Sequence, residues 1–372
     1  MRRPGRLGTG WPDEVDLSLV RAALGPPDRT LSEWERFTGA VSLADDHVPE
    51  RHRLLSAVWG QLHHGAPGHR DLPVLKGISR RTWVNNQRAL STLARAVEAL
   101  GSGSRPWALA PHAQLALGDD LGWLPSDPLT LLVPAVEVDP VTAALVGAGW
   151  STTRGRGAPW VRPRVVRDPA GGELRLLSRA GVWLVEPDEP HRSLDPLLEA
   201  ARPATVGQAT VPVLDPADAL VALCSEGPTP GSPVPLRWMV LVAALVGGTD
   251  LTPERVAATS RRFRIEPLVR GALEFLSEVV DVGDADQLRA LVPEGGTVGH
   301  RQLDRALVAR RGPAAGLRAE WVRNRRSWSG REAVTRLPGF LTSRWGLDSA
   351  WQLPGAVAGR VTATVGRKPF RG

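Results

Sequence analysis

The stretch 124–133 carries one acidic side chain, Asp127, ahead of the apolar run Leu129-Thr130-Leu131-Leu132-Val133. Two carboxylates at i and i+2 of a strand point to one face and can share divalent cations, because the strand period is two. Here Pro128, Leu129 and Thr130 follow Asp127, so at most one carboxylate stands on that strand. Asp119 and Asp120 form an adjacent pair in the loop just upstream, and Glu173 and Glu186 belong to two later segments. Pro111 and His112 open a short helix, where an imidazole can meet an anion or simply pack. His63 and His64 are neighbours, so on a helix they diverge by about 100° and make poor joint metal ligands. Cys224 is the only cysteine, which excludes an intrachain disulfide, and its apolar surroundings point to core packing.

The elements that must position these residues fall into four regions. Residues 1–100 read as helical. Thr30-Leu31-Ser32-Glu33 has the form of a capping box opening a helix through Trp34 and Phe37. Residues 48–63 carry Leu54, Leu55, Val58 and Leu62 at helical spacing. A long helix is expected over 79–100, with Trp83, Leu90, Leu93, Val97 and Leu100 on one face.

Residues 101–214 change period. A strand at 107–110 leads to a short helix at 111–117 with proline in its first turn. A strand at 129–133 follows, then a helix with Asp139 as N-cap and Pro140 at its first position. Strands are expected at 173–177 and 181–186, with turn signals at 168–172 and 178–181. This is α/β (α+β) patterning around a small mixed sheet.

Residues 215–299 are helical again. Asp215 and Thr252 stand as caps, 236–246 as a buried helix and 265–280 as an amphipathic one. Residues 300–372 form a basic tail with Trp328, Trp345 and Trp351 among arginines. There, fifteen Arg and Lys face four acidic residues, a local charge near +11 that leaves the rest near −4 within the total of +7.

Four strings resemble the uncharacterised nucleotidyltransferase family, whose core is polymerase-beta-like with helical flanks. Residues 85–100, opening Asn85-Asn86-Gln87-Arg88, resemble its asparagine-led helix before the first strand. Leu131-Leu132-Val133, with the helix running to Gly149-Trp150, is similar to its second strand and exit. Residues 215–224 resemble the helix opening its C-terminal lobe, and Leu236-Arg237-Trp238 its arginine-tryptophan helix. Together they span roughly residues 10 to 350.

The resemblance implies a chemistry. A turn at a helix N-terminus offers N–H groups to a triphosphate. An acidic pair on the next strand holds Mg²⁺ against the phosphates, and a third carboxylate from a neighbouring strand acts as base or ligand. Carried onto this chain, Pro111 and His112 take the place of the phosphate turn. Asp127 is the surviving metal ligand and, with Glu173, a catalytic residue, and Asp119 and Asp120 are displaced metal ligands. Glu173 or Glu186 is the third carboxylate. Proline at 111 removes one phosphate-facing N–H. Lys76-Gly77 has the letters of the turn but precedes the asparagine-led helix instead of following a strand.

The resemblance therefore implies a nucleotidyltransferase with weakened or lost Mg²⁺-dependent transfer, of a kind encoded in bacterial biosynthetic or peptide-modification clusters. A non-catalytic binding or scaffold protein on the same fold is an alternative. Expected partners are a nucleoside triphosphate, or a protein or peptide. A third alternative is nucleic acid held by the basic tail, where interleaved Trp and Arg can stack on bases.

Composition bounds these readings. The chain has 372 residues, 42% of them hydrophobic, which suits a globular protein of more than one structural unit. Only Lys76 and Lys368 are lysines among 46 basic residues, a usage typical of GC-rich coding. The longest apolar run, 238–246, is too short to span a bilayer, and the basic N-terminus has no apolar stretch behind it. A cytoplasmic protein with no membrane partner is expected.

Overall fold

The computed structural model describes residues 11–101, 106–118, 120–126, 128–153, 164–180, 184, 194–227, 235–248, 251–280, 290–291, 338 and 352. Asp119, Asp127, Glu186, most of the strand expected at 181–186 and nearly all of the basic tail lie outside these residues.

Among the described residues the architecture is mixed α/β, with twelve helices and one seven-stranded open sheet. The sheet order is β3-β4-β5-β2-β1-β7-β6, built from β1 (Ala108–Leu109), β2 (Thr130–Leu132), β3 (Ser151–Thr153), β4 (Arg164–Arg167), β5 (Glu173–Leu177), β6 (Arg202–Val206) and β7 (Ala209–Val213). Its centre mixes directions. β1 runs antiparallel to β2 and parallel to β7, while β2 runs parallel to β5 with Thr130 opposite Arg175. Hairpins extend both edges. Gly207, at φ +60°, sits first in the two-residue turn between β6 and β7, a position that favours a residue without Cβ.

Side chains alternate across this sheet, and so it has two cores. Leu109, Leu131, Leu174, Leu176 and Val211 point to one face, where α5 (Leu72–Leu100) and α7 (Val138–Gly147) cover them. Ala108 and Leu132 point to the other, against α9 (Pro216–Glu226) and α10 (Arg237–Gly248). The same apolar layer continues into α1 (Glu14–Leu24), α2 (Pro27–Ala40) and α4 (Leu55–Gly65), and into α12 (Glu266–Val280). Eight residues of α10 are buried, as its continuous apolar run demands. Its middle position in the layer makes it the axle between the N-terminal helices and the sheet.

Several local expectations need correction. α2 begins at Pro27, and Thr30 lies inside it, its hydroxyl donating to the Gly25 and Pro26 carbonyls. The segment 48–63 is two helices, α3 (Pro49–His52) and α4, broken at Arg53 and Leu54. Asp139 is not a cap; α7 starts one residue before it, and its carboxylate pairs with Arg164 of β4 at 2.9 Å. Trp83 is not on the packed face of α5. It is 50% exposed, because the buried face is set by Leu75, Ser79, Thr82, Asn86, Leu93 and Ala96. By contrast, Asp215 caps α9 as expected, accepting from the Ala217 N–H at 3.0 Å. α11 (Pro253–Arg262) begins after Thr252, whose side chain makes no capping hydrogen bond, and α12 falls where the periodicity puts it. No described helix is long and apolar enough to cross a membrane.

Candidate functional site

The described residues of the segment 116–128, which leads into β2, have almost no secondary structure of their own and are held by side chains from four helices. Asn86 is fully buried in α5. Its amide donates to the carbonyls of Leu121 at 2.8 Å, Leu124 at 2.7 Å and Ala116 at 3.2 Å, and its Oδ1 accepts from the Ser126 N–H at 2.9 Å. Ser56 of α4 donates to the Trp123 carbonyl at 2.8 Å and Ser79 of α5 to that of Gly122 at 3.3 Å. Arg237 of α10 reaches the Pro125 carbonyl at 3.4 Å. Buried backbone groups must find partners, and here they find side chains because no strand or helix supplies them. The effect is to fix the chain on both sides of position 127.

His112 sits in the second position of α6 (Pro111–Ala116) and is 6% exposed. Its Nε2–H donates to the Pro128 carbonyl at 3.1 Å. Burial, then repulsion from Arg237, pushes the imidazole pKa down to about 3, with Arg53 and Arg175 adding to the repulsion. The ring is therefore a neutral donor to that carbonyl. Pro111 beside it is also buried.

Glu50 and Glu226 offset those arginines. Arg53 pairs with Glu50, whose other oxygen accepts from the Leu236 N–H at 3.3 Å. Burial pushes the Glu226 carboxyl up, Arg237 pulls it down, and Glu50 raises it again. The result is a charge-balanced polar cluster between α3, α6, α9 and α10.

On β2 and β5, alternation places Thr130, Glu173 and Arg175 on the sheet face opposite Leu131, Leu174 and Leu176. The Thr130 hydroxyl is buried and turned back onto the Pro128 carbonyl at 2.9 Å. Glu173 is paired with Arg175 at 3.3 Å and Arg167 at 3.5 Å. Asp120 is exposed, and its carboxylate accepts from the Gly122 N–H at 2.9 Å within its own turn. Magnesium of the implied kind needs at least one or two carboxylates with free oxygens beside phosphate. Among the described residues no three acidic, His or Cys side chains converge, and Glu173 and Asp120 are already committed elsewhere. Asp127 and Asp119 lie outside the described residues.

Two other polar knots are structural. Asp168 closes the β4–β5 turn and receives hydrogen bonds from Thr92 at 3.0 Å, from Arg95 Nε at 3.0 Å and from the Gly172 N–H at 2.8 Å. Burial opposes its ionisation, but the hydrogen bonds from Arg95, Gly172 and Thr92 outweigh that and hold the carboxyl below its usual range. Gly172 is required there, since a Cβ would lie 2.0 Å from Thr92 Oγ1. A cavity of about 370 Å³ between α8 (Asp195–Glu199) and α11 is lined by Leu197, Asp218, Arg255 and Thr259 among others. Its buried Asp218 is consumed by Arg255 and Thr259, each at 2.6 Å.

Sequence reasoning placed His112, Thr130 and Glu173 on the right elements but missed Asn86, Ser56, Ser79 and Arg237 as the residues that build the site. A signal existed for two of them. An asparagine in a helix interior competes with the backbone unless its amide has other work, and an arginine heading an apolar helix run needs a partner. No family model, curated protein or solved structure matches the chain.

Proposed function

We propose that the protein is a nucleotidyltransferase-type scaffold in which metal-dependent transfer is weakened or lost and which works as a binding module. The order α5, β1, α6, β2, α7 supports this reading, as does β5 beside β2 with Glu173 on the same face as Thr130. The observation that carries the loss of chemistry is Thr130. In the register that sets the pair at Pro128 and Thr130 it occupies the second position, and its buried hydroxyl is spent on the Pro128 carbonyl; in the adjacent register Asp127 is followed at the second position by Leu129. A side chain so committed offers no charge to a cation.

Binding, by this reading, uses the rigid segment 116–126 and the polar cluster under it. Asn86, Ser56, Ser79 and Arg237 hold that segment in one conformation, which lowers the ordering cost of recognition. Calorimetric titration with nucleoside triphosphates, with and without Mg²⁺, tests the proposal alongside an assay for pyrophosphate release. We expect no pyrophosphate release, and any triphosphate binding to be unchanged in Asp127→Ala. Mg²⁺-dependent release that disappears in a stably folded Asp127→Ala variant overturns it.

A further inference from the structure

Along the outer face of α5, cations gather without acids on the helix itself. Between Asp71 and Glu98 the sequence holds Lys76, Arg80, Arg81, Arg88 and Arg95 and no acidic residue. Arg95 is spent on Asp168, whereas Lys76, Arg80, Arg81 and Arg88 are exposed and make no ion pair among the described residues. Other arginines among the described residues find carboxylates, as in Arg36 with Glu33, Arg51 with Asp16 and Arg255 with Asp218. Arginine-rich composition alone therefore does not explain the stripe.

Trp83 lies within it, 50% exposed, with Val84 at 40% beside it. At 100° per residue, Lys76, Arg80, Trp83, Val84 and Arg88 fall within about 140° of helix surface. They extend over about 18 Å at 1.5 Å per residue. The opposite face of α5 is anchored by Asn86, Thr92, Leu93 and Ala96, so the stripe is a fixed platform. A half-exposed indole among guanidinium groups without ion pairs is the combination that stacks an unpaired base while the cations meet its phosphates. Duplexes hide their base faces, and single-stranded RNA exposes them as its ordinary state. A membrane surface needs a continuous apolar face, and one Trp with one Val does not make it.

We infer that the Lys76–Arg88 face of α5 binds single-stranded RNA, with Trp83 stacking a base and Lys76, Arg80 and Arg88 neutralising phosphates. This surface is separate from the segment 116–128, so its failure and the failure of the proposed function are distinguishable.

Fluorescence anisotropy of the full chain with a labelled oligouridine, across a salt series, tests it. Trp83→Ala is expected to weaken binding by roughly 5- to 150-fold, the loss of one stacked base, and Trp83→Phe to restore most of it. Arg80→Gln with Arg88→Gln is expected to lower the slope of log affinity against log salt by about 1.4, for two fewer phosphates. These exposed sites leave circular dichroism and triphosphate binding unchanged. Absence of binding at low salt overturns the inference, as does affinity unaltered by these substitutions because the basic tail carries it. Binding to oligodeoxythymidine alone, or a Trp83-dependent preference for an acidic peptide or phosphatidylserine vesicles, overturns the RNA assignment.

Discussion

Asn86 on α5 and Ser126 on the segment entering β2 are joined by a 2.9 Å hydrogen bond from the Ser126 N–H to the Asn86 carbonyl oxygen, while the Asn86 amide serves three carbonyls of the same segment. One side chain thus replaces the missing secondary structure of about ten residues. Asn86→Ala leaves several buried backbone groups without partners. It is expected to destabilise the protein by about 3 kcal/mol, read as a lower urea midpoint with an unchanged slope.

His112 should stay neutral across the physiological range. Its folded pKa, about 3, lies below the ordinary 6.5, so the unfolded chain binds a proton that the folded chain refuses. Its contribution to stability is therefore full above pH 6.5 and is lost as the pH falls toward 3. The slope from this group cannot exceed about 1.4 kcal/mol per pH unit. His112→Gln is expected to flatten stability against pH in that window. An imidazole resonance that titrates near pH 6.5 in the native protein would contradict this.

Asp168 works in the opposite sense. Its carboxyl is held below the ordinary 3.8, so it contributes stability above that value, and the contribution is lost as the pH falls through the lowered one. Asp168→Asn is expected to cost about 2 kcal/mol at pH 7, because charge-assisted hydrogen bonds from Arg95 and Thr92 become neutral ones. The difference between wild type and variant should shrink below pH 4, measured by denaturant unfolding at each pH.

Cys224 is fully buried, and burial pushes its thiol pKa up. A thiol that does not ionise is a poor nucleophile. Native protein is expected to resist iodoacetamide at pH 8, and urea-unfolded protein to take one adduct, both read by intact mass. Rapid labelling of the native chain would count against the packing described for α9.

Local information determined much of this protein. Apolar runs and their period located α10, α12, β2 and β5, and Pro111, Asp215 with Pro216, and Thr252 with Pro253 marked the starts of α6, α9 and α11, because caps and periodicity act within a few residues. The terminal hairpins β3–β4 and β6–β7 were not legible. Their strands are short, partly exposed and carry Arg, Pro and Thr, which blurs the apolar alternation, and β7 joins the sheet by pairing with β1, distant in sequence. Tertiary structure alone decided which face of α5 is inside. An apolar count favours Trp83, but the loop carbonyls at 116–126 require donors, so Ser79 and Asn86 turn inward and Trp83 is left in solvent. The same contest fixed the candidate site. Sequence picked out His112 and the strand bearing Thr130, and only packing told that these two, with Asn86 and Arg237, are spent on the backbone of residues 116–126 and 128.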